Sequence, residues 1–266
     1  MNVKLLDEPV LQFGTGDHIC PKEGIRLLNP YDLKSVRPER IRTGIIGKSD
    51  SMDVIQTWLS RCKHEIEGKK SPLIKLFPSF MGFNKNDAFQ AEIIYDEGYV
   101  RKINNSDFDQ ILAREKNYAK IVQEFVDLYV GEIRFLAKNK NPDVILCVLS
   151  EKFIQNIIGA PQVDDDSEGE GAKDDMDELD EEEISIQENN FRRLLKARAM
   201  EFNVPIQIVR DRIAKPSGDM QDPASIAWNF FTALYYKSSG TPWAMKKKDQ
   251  TIDCYAEISF YNSRNS

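Results

Sequence analysis

The sequence has no apolar run that approaches the roughly 20 residues of a membrane-spanning helix. Its opening stretch, MNVKLLDEPVLQFG, contains acidic residues early and lacks the apolar core of a signal peptide. The cysteines, at positions 20, 62, 147 and 254, are too far apart to suggest a disulfide framework, and they suit a reducing compartment. These features predict a cytoplasmic protein without a membrane segment.

Histidine is scarce, with two residues in a chain of 266. His18 is two residues from Cys20, and His64 is two residues from Cys62, whereas ligand pairs in structural zinc sites usually have wider spacing. In a helix, Cys62 and His64 would also point to nearly opposite sides. An acyl-transfer triad has little support from so few histidines. We therefore predict neither a zinc site nor an acyl-transfer triad at these residues.

Negative charge is concentrated in one tract. Asp164 to Glu183 contains thirteen acidic residues and one lysine, a net charge of −12. Because the whole chain carries −7, the rest of the chain carries +5. The tract lacks apolar periodicity and is predicted to be disordered. The remaining body is mildly basic, so the overall acidity does not exclude nucleic-acid binding.

Elsewhere, segments typical of strands alternate with segments typical of helices, which predicts an α/β fold with a largely parallel sheet flanked by helices. PDVILCVL is a continuous apolar run of the kind found in strands that are buried on both faces. Ser49 or Asp50 is the expected N-cap of the first long helix. FQAEIIYDEGYVRKI is predicted as a strand, a turn and a short strand, and TIDCYAEISFY as a final strand. The other predicted strands are 43–47, 143–149 and 205–209, and the helices are 50–67, 118–138, 189–202 and 223–236.

Two short stretches partly match phosphate-binding loops. TGIIGKS, from Thr43 to Ser49, resembles the end of a P-loop, but the glycine that should precede Gly47 by five positions is Arg42. FGTGDH lacks the third glycine of a dinucleotide-binding motif and is predicted to be a turn. Neither stretch predicts a nucleotide site.

A third candidate is dispersed along the chain. Arg192 and Lys196 are four residues apart, on one face of a predicted helix and near its N-terminal half, where an anion such as phosphate is favoured. Gln207 follows on the next predicted strand, and Lys237 ends the next helix. A sheet with this order could bring the four residues together at one edge. The alternative is a solvated basic face, with Lys237 complementing its helix dipole.

With these residues the sequence resembles the short prokaryotic Argonautes, which consist of a MID domain and a PIWI domain. The stretches that carry the resemblance extend over most of the chain outside the acidic tract. They are LDEPVLQFGTGDHICPKEGIRLLNPYD, TGIIG, FPSFMGF, NKNPDVILCVLSEKF, LLKARAM followed by VPIQIV, and SIAWNFFTALYYKSSGTPW. The resemblance implies an N-terminal extension at 1–40 that packs on the core. It also implies a Rossmann-like MID domain at 41–240 with the disordered acidic insertion at 163–184, and the start of an incomplete PIWI domain at 241–266.

In this family the MID domain holds the 5′-phosphate of a guide strand, and the resemblance carries that role to Arg192, Lys196, Gln207 and Lys237. The lysine and glutamine positions match the family pattern, whereas Arg192 stands where an aromatic residue or histidine is usual. Arginine can hold a phosphate through two hydrogen bonds. The resemblance implies no definite cofactor and leaves Mg²⁺ at the guide phosphate open. Tyr236 and its neighbours would pack around the junction.

The resemblance also implies that the chain is not an enzyme. The first PIWI strand of cleaving Argonautes carries a metal-binding aspartate, and here CYAEISFY places Ser259 at about that position, two residues from Glu257. The implied function is guide-directed recognition of invading nucleic acid in anti-phage or anti-plasmid defence, with a complementary target strand. The implied protein partner is an APAZ-containing effector of the sirtuin-like, TIR or nuclease type. The alternatives are a metal-dependent endonuclease that uses Glu257 and an interaction scaffold without guide binding. RNA and DNA guides are not distinguished.

Overall fold

The computed structural model describes residues 8–71, 77–115, 117–151, 153–154, 181–216 and 221–246, with the backbone alone at 118 and 181–189. The predicted final strand, together with Glu257 and Ser259, lies outside these residues, and so does the acidic tract up to residue 180. None of the described helices is long and apolar enough to cross a membrane.

The core of the molecule is a five-stranded parallel sheet, which confirms the predicted α/β class. Its central strand β3 (Arg40–Gly47) pairs on one side with β4 (Glu92–Ile94) and β5 (Val100–Lys102), and on the other side with β6 (Val144–Leu149). Strand β7 (Ile206–Arg210) pairs with β6 and ends the described sheet. Every residue of β6 is buried, as its uninterrupted apolar sequence predicts.

Helices cover both faces of this sheet. Alternate strand residues enter two separate apolar clusters, because successive side chains of a strand point to opposite faces. One cluster contains α2 (Ser49–Arg61) and α6 (Pro223–Lys237), and the other contains α3 (Asn105–Arg114), α4 (Tyr118–Asn139) and α5 (Glu181–Ala199). The edge strand β7 lies between α5 on one face and α6 on the other.

Two predicted helix boundaries are wrong. Helix α2 ends at Arg61 rather than 67, because Ile66 is in an extended segment whose backbone exchanges hydrogen bonds of 2.8 and 2.9 Å with Phe80. Its N-cap is Lys48, which makes no side-chain capping bond, so neither Ser49 nor Asp50 has the predicted role.

Helix α5 begins at Glu181, eight residues before the predicted start at 189, and therefore includes the end of the acidic tract. Glutamate is a strong helix former, and four of the eight added residues, 181–188, are glutamates. A short 3₁₀ helix, Met200–Phe202, continues α5 up to the turn before β7. The earlier start moves Arg192 and Lys196 into the C-terminal half of the helix.

The N-terminal residues pack against the last helix and the segment after it. Helix α1 (Pro21–Leu28) buries Ile25, and the short strand β1 (Leu11–Gln12) pairs with β2 (Asp17–His18) and with β8 (Ala244–Met245). This second, three-stranded antiparallel sheet joins residues 11–18 to the predicted junction at 241.

One buried carboxylate, that of Asp32, connects the N-terminal segment to the end of α6 and to the residues that follow it. Asp32 is 6% exposed and accepts hydrogen bonds from the Tyr235 hydroxyl at 2.8 Å and the Thr241 backbone N–H at 2.7 Å. Gly240 lies against the same tyrosine ring, and a Cβ there would come within 2.4 Å of it. Tyr236 is half exposed and packs edge-on against Trp243, with ring centroids 5.8 Å apart.

We predict that Tyr235→Phe lowers the free energy of unfolding by about 1–3 kcal/mol, because it removes a hydrogen bond from a buried carboxylate. The control is Tyr236→Phe, whose hydroxyl is 3.5 Å from the Trp243 carbonyl and lies on a residue that is 44% exposed. It should change stability by less than about 0.5 kcal/mol. Urea unfolding measures both, and equal losses would show that the bond to Asp32 does not hold the junction.

Candidate phosphate-binding site

Gln207 and Lys237 are joined at the outer edge of the sheet. Gln207 lies on the edge strand β7 and is 7% exposed, and its Oε1 accepts a hydrogen bond from Lys237 Nζ at 3.3 Å. Its Nε2 donates to the carbonyl of Phe230, also at 3.3 Å, on helix α6. Since both ends of the amide are occupied, the orientation of Gln207 is fixed and its oxygen is directed at the lysine.

The two lysines stand at helix C-termini. Lys196 is in the last turn of α5 and Lys237 is in the last turn of α6. The prediction that a helix N-terminus would assist anion binding is therefore wrong for these helices. The negative end of a helix dipole favours the lysines themselves rather than an anion. Any anion held here is held by side chains.

Positive charge is nevertheless concentrated around Lys237. Burial, together with the positive charges of Lys196 and Arg192, lowers the pKa of Lys237 below its ordinary value of 10.5. No carboxylate contributes to this shift, and within the described ranges neither Lys196 nor Lys237 has an acidic partner. The four predicted residues thus form one group, which we call the cationic cluster.

A cleft of about 560 Å³ opens beside Lys237. Its polar lining comes from the ends of α4, α5 and α6, through Asn141, Asn203 and Ser239. These three residues have left-handed backbones, with φ of 46°, 52° and 67°, as is common for the residue that follows a helix. Sequence analysis did not predict this cleft, although helix-ending asparagines before two predicted strands were a usable signal.

The cleft also contains one carboxylate, and its charge is compensated. Asp143 Oδ1 accepts a hydrogen bond of 2.6 Å from the Arg42 guanidinium, and its Oδ2 accepts one of 2.7 Å from the Arg42 backbone N–H. The same ion pair raises the pKa of Arg42. This pair connects the start of β6 to β3 and leaves no unpaired negative charge from Asp143 in the cleft.

The cluster does not fit a magnesium ion by itself. Mg²⁺ requires oxygen ligands in octahedral geometry, and Gln207 Oε1 is the one side-chain oxygen among the four residues. That oxygen already accepts a hydrogen bond from Lys237. Three cationic side chains would also repel the metal.

The P-loop-like stretch has a packing role in the structure. A Cβ on Gly47 would come within 2.9 Å of Val148, so this glycine allows β3 and β6 to pack closely. The ammonium group of Lys48 lies 4.7 Å from the centre of the Phe108 ring. Of the cysteine and histidine pairs, Cys62 is fully buried, and burial raises the pKa of its thiol to about 12.

No family model matches the chain, and neither does any curated protein. Among solved structures, the chain is similar to Clostridium butyricum Argonaute bound to a guide DNA with a 5′ deoxycytidine and a 19-mer target DNA. The similarity covers 94% of this chain and 26% of that chain, at 15% sequence identity and a TM-score of 0.49. This chain spans about a quarter of the length of that Argonaute.

We predict that Lys196→Met raises the pKa of Lys237 towards 10.5, because one of the like charges that lower it is removed. An NMR titration of the Lys237 side chain measures the change. The control is Lys120→Met, which should leave the pKa of Lys237 unchanged. Lys120 lies near the N-terminal end of α4, a helix of 22 residues whose ends are about 33 Å apart, and the other end borders the cleft. An unchanged Lys237 titration in the Lys196 variant would show that the cluster is not electrostatically coupled.

The lowered pKa has a consequence for stability. Between the lowered pKa of Lys237 in the folded protein and the ordinary value of 10.5, the folded state binds fewer protons at this lysine than the unfolded chain does. The contribution of Lys237 to the free energy of unfolding therefore increases with pH across that window. The cationic cluster is therefore a source of strain at neutral pH.

Proposed function

We propose that the cationic cluster binds the 5′-phosphate of a short guide strand, and that the chain is the guide-anchoring part of a short Argonaute. The observation that carries the proposal is the environment of Lys237. This lysine is half buried, held in place by Gln207, and close enough to two other cations that its charged form is disfavoured. A terminal phosphate would supply the negative charge that the described surroundings of Lys237 lack.

The charge of a phosphate group distinguishes the phosphorylated end of a strand from its interior. A terminal phosphate carries about −1.5 to −2 at neutral pH, whereas an internal phosphodiester carries one negative charge. Hydrogen bonds to charged groups contribute about 1.5–3 kcal/mol each. A site that contains Lys196, Lys237 and Arg192 therefore favours a phosphorylated end over the rest of the strand.

A structural explanation for the lysines competes with this proposal. Lysines in the last turn of a helix complement its dipole, and charged side chains beside an edge strand prevent it from pairing with other molecules. Both roles are fulfilled by lysines whose ammonium groups remain in water. Neither role explains why Lys237 is half buried beside other cations and bonded to a buried amide.

The wider function follows from the resemblance. We propose that the anchored guide pairs with a complementary strand of invading nucleic acid, and that an APAZ-containing effector supplies the response in anti-phage or anti-plasmid defence. The sirtuin-like, TIR and nuclease effectors remain alternatives, as do RNA and DNA guides. We also propose that the protein acts in the cytoplasm and that the segment after residue 241 begins a PIWI domain.

We predict that Lys196→Ala weakens binding of a 5′-phosphorylated single strand by about ten-fold or more, as expected from one lost charged hydrogen bond. The same change should alter binding of the matching 5′-hydroxyl strand by less than about two-fold, because that end lacks the phosphate which the lysine contacts. Fluorescence anisotropy with the two strands at one salt concentration provides the comparison, and Lys237→Ala should give the same pattern.

The control for general basic attraction is Lys120→Ala, which removes one exposed positive charge near the N-terminal end of α4. It should weaken both strands slightly and equally, since it acts through long-range charge alone. If Lys196→Ala and Lys237→Ala also weaken both strands equally, the lysines form a solvated basic face and the proposal is wrong.

We predict that the purified chain, with guide, complementary target and Mg²⁺ or Mn²⁺, leaves the target uncut. Ser259 stands where the family's metal-binding aspartate is expected, and a single carboxylate at Glu257 is insufficient for a two-metal site. Denaturing gel electrophoresis of a labelled target measures cleavage. Cutting that disappears in Glu257→Gln would support the endonuclease alternative, and an uncut target with no guide preference would support the scaffold.

A further inference from the structure

The end of α6 is attached at two points to one residue of the N-terminal segment. Asp32 Oδ1 accepts a hydrogen bond of 2.8 Å from the hydroxyl of Tyr235, which lies two residues before Lys237. Asp32 Oδ2 accepts a hydrogen bond of 2.7 Å from the backbone N–H of Thr241, which lies four residues after Lys237. The stretch that contains Lys237 is therefore bound on both sides by the same buried carboxylate.

Backbone contacts strengthen this attachment. The Asp32 N–H donates to the Thr241 carbonyl at 3.3 Å, and the Tyr31 N–H donates to the Pro242 carbonyl at 2.9 Å. The residues that follow α6 thus run alongside the N-terminal segment and are bonded to it through both main chain and side chain. The path of the chain past the end of α6 is fixed by these bonds.

Lys237 needs such an attachment because its position is unfavourable for a charged side chain. Burial and the like charges of Lys196 and Arg192 both act against its charged form. Helix ends fray, and a frayed last turn would let the ammonium group return to water and move away from the other cations. The bond of 3.3 Å from Lys237 to Gln207 restrains the ammonium group rather than the backbone of the turn.

We propose that Asp32 is a positioning residue for the phosphate-binding site, and that it sets the position of Lys237 through Tyr235 and the backbone of Thr241. The inference rests on the proposed function, because it assigns a further residue to the same site. Tyr235 and Lys237 are two residues apart and point to nearly opposite sides of α6, so Asp32 acts through the helix end. A cation that is held in place binds its anion more tightly than one that must first be ordered.

A purely structural role for Asp32 is the competing explanation. In that role the carboxylate joins the N-terminal segment to the last helix, and its loss lowers stability without changing which strand end is preferred. Two properties separate the explanations, namely the pKa of Lys237 and the preference for a phosphorylated end. Both should change if Asp32 positions the lysine, and neither should change if Asp32 only stabilises the fold.

The first measurement uses Tyr235→Phe and Asp32→Asn in the full chain. Tyr235→Phe removes the hydroxyl that binds Asp32, and Asp32→Asn replaces one of the two accepting oxygens with an amide nitrogen. Each variant should weaken binding of a 5′-phosphorylated RNA strand by about five-fold or more, because the competent position of Lys237 is populated less. The matching 5′-hydroxyl strand should change by less than about two-fold, and fluorescence anisotropy measures both.

The sign of the charge change makes Asp32→Asn informative. This variant removes a negative charge from the protein, so long-range electrostatics alone would strengthen the binding of either strand. The same loss of charge alone would lower the pKa of Lys237 further. Weaker binding of the phosphorylated strand and a higher pKa of Lys237 are both opposite to these direct effects, so they would report a displaced lysine.

The matched control is Tyr129→Phe. The Tyr129 hydroxyl is buried and donates to the Val148 carbonyl at 2.7 Å, and Tyr129 belongs to the apolar cluster on the other face of the sheet from α6. This variant also loses a buried tyrosine hydrogen bond, and urea unfolding should show a loss of stability comparable to that of Tyr235→Phe. It should leave the preference for the phosphorylated strand unchanged.

An NMR titration of the Lys237 side chain tests the inference without a strand. In Tyr235→Phe and Asp32→Asn the pKa of Lys237 should rise towards its ordinary value of 10.5, because the released side chain is more exposed and farther from the other cations. In Tyr129→Phe it should equal the wild-type value.

The outcomes separate this inference from guide anchoring. If the wild-type chain prefers the phosphorylated strand and both variants keep that preference, the inference is wrong and guide anchoring stands. If the wild-type chain binds the two strands alike, guide anchoring is wrong, and an unchanged Lys237 titration in both variants would overturn the positioning role as well. An equal loss of preference in Tyr129→Phe would show that the effect follows stability alone and would also overturn the inference.

Discussion

Parallel pairing in the central sheet determines where the functional groups of this protein can lie. Parallel neighbours cannot be joined by a tight turn, so each connection returns along a face of the sheet, here mainly through helices. The C-terminal ends of α4 and α5 consequently stand next to the amino ends of β6 and β7, and Lys237 at the end of α6 joins them through Gln207. The cleft lies at this meeting point of three helix ends, and Lys237 is the member of the cationic cluster that lines it.

The arrangement makes the chemistry of the site differ from that of a phosphate loop. In a P-loop, backbone N–H groups at a helix N-terminus hold the anion. Here the helix ends are the negative poles, which favour the lysines in their last turns, so an anion bound at the cluster would be held by side chains. Such a site depends on its individual cations more than a backbone cradle does.

The cationic cluster also reduces stability at neutral pH. Lys237 is half buried among like charges, and its position is maintained by two bonds of Gln207 and by the packing of α6. On the other side of the same helix end, Asp32 binds Tyr235 and the segment that follows Gly240. Burial of Tyr235 and its bond to Asp32 stabilise the helix end that carries the strained lysine. The position of Lys237 is thus fixed in advance, and interactions elsewhere in the fold offset the repulsion between the cations.

The sequence alone determined the fold class, because alternating apolar strands and amphipathic helices have periodicities that local residues specify. Strands β3, β6 and β7 and helices α4 and α6 were predicted close to their observed bounds for this reason. The order of the elements also indicated that Arg192, Lys196, Gln207 and Lys237 could meet at one edge.

Tertiary structure decided where two helices begin and end and where the cleft lies. Pairing of Ile66 with Phe80 ended α2 early, and the start of α5 at Glu181 placed the lysines at helix C-termini rather than near an N-terminus. The cleft beside Lys237 is formed by three segments that are distant in sequence, and although asparagines mark two of the helix ends, the space between the segments depends on how they pack. Side-chain burial and the distances between charges depend on packing across the whole sheet, which is why the order of the elements could indicate that these residues meet but could not indicate the electrostatics of the cluster.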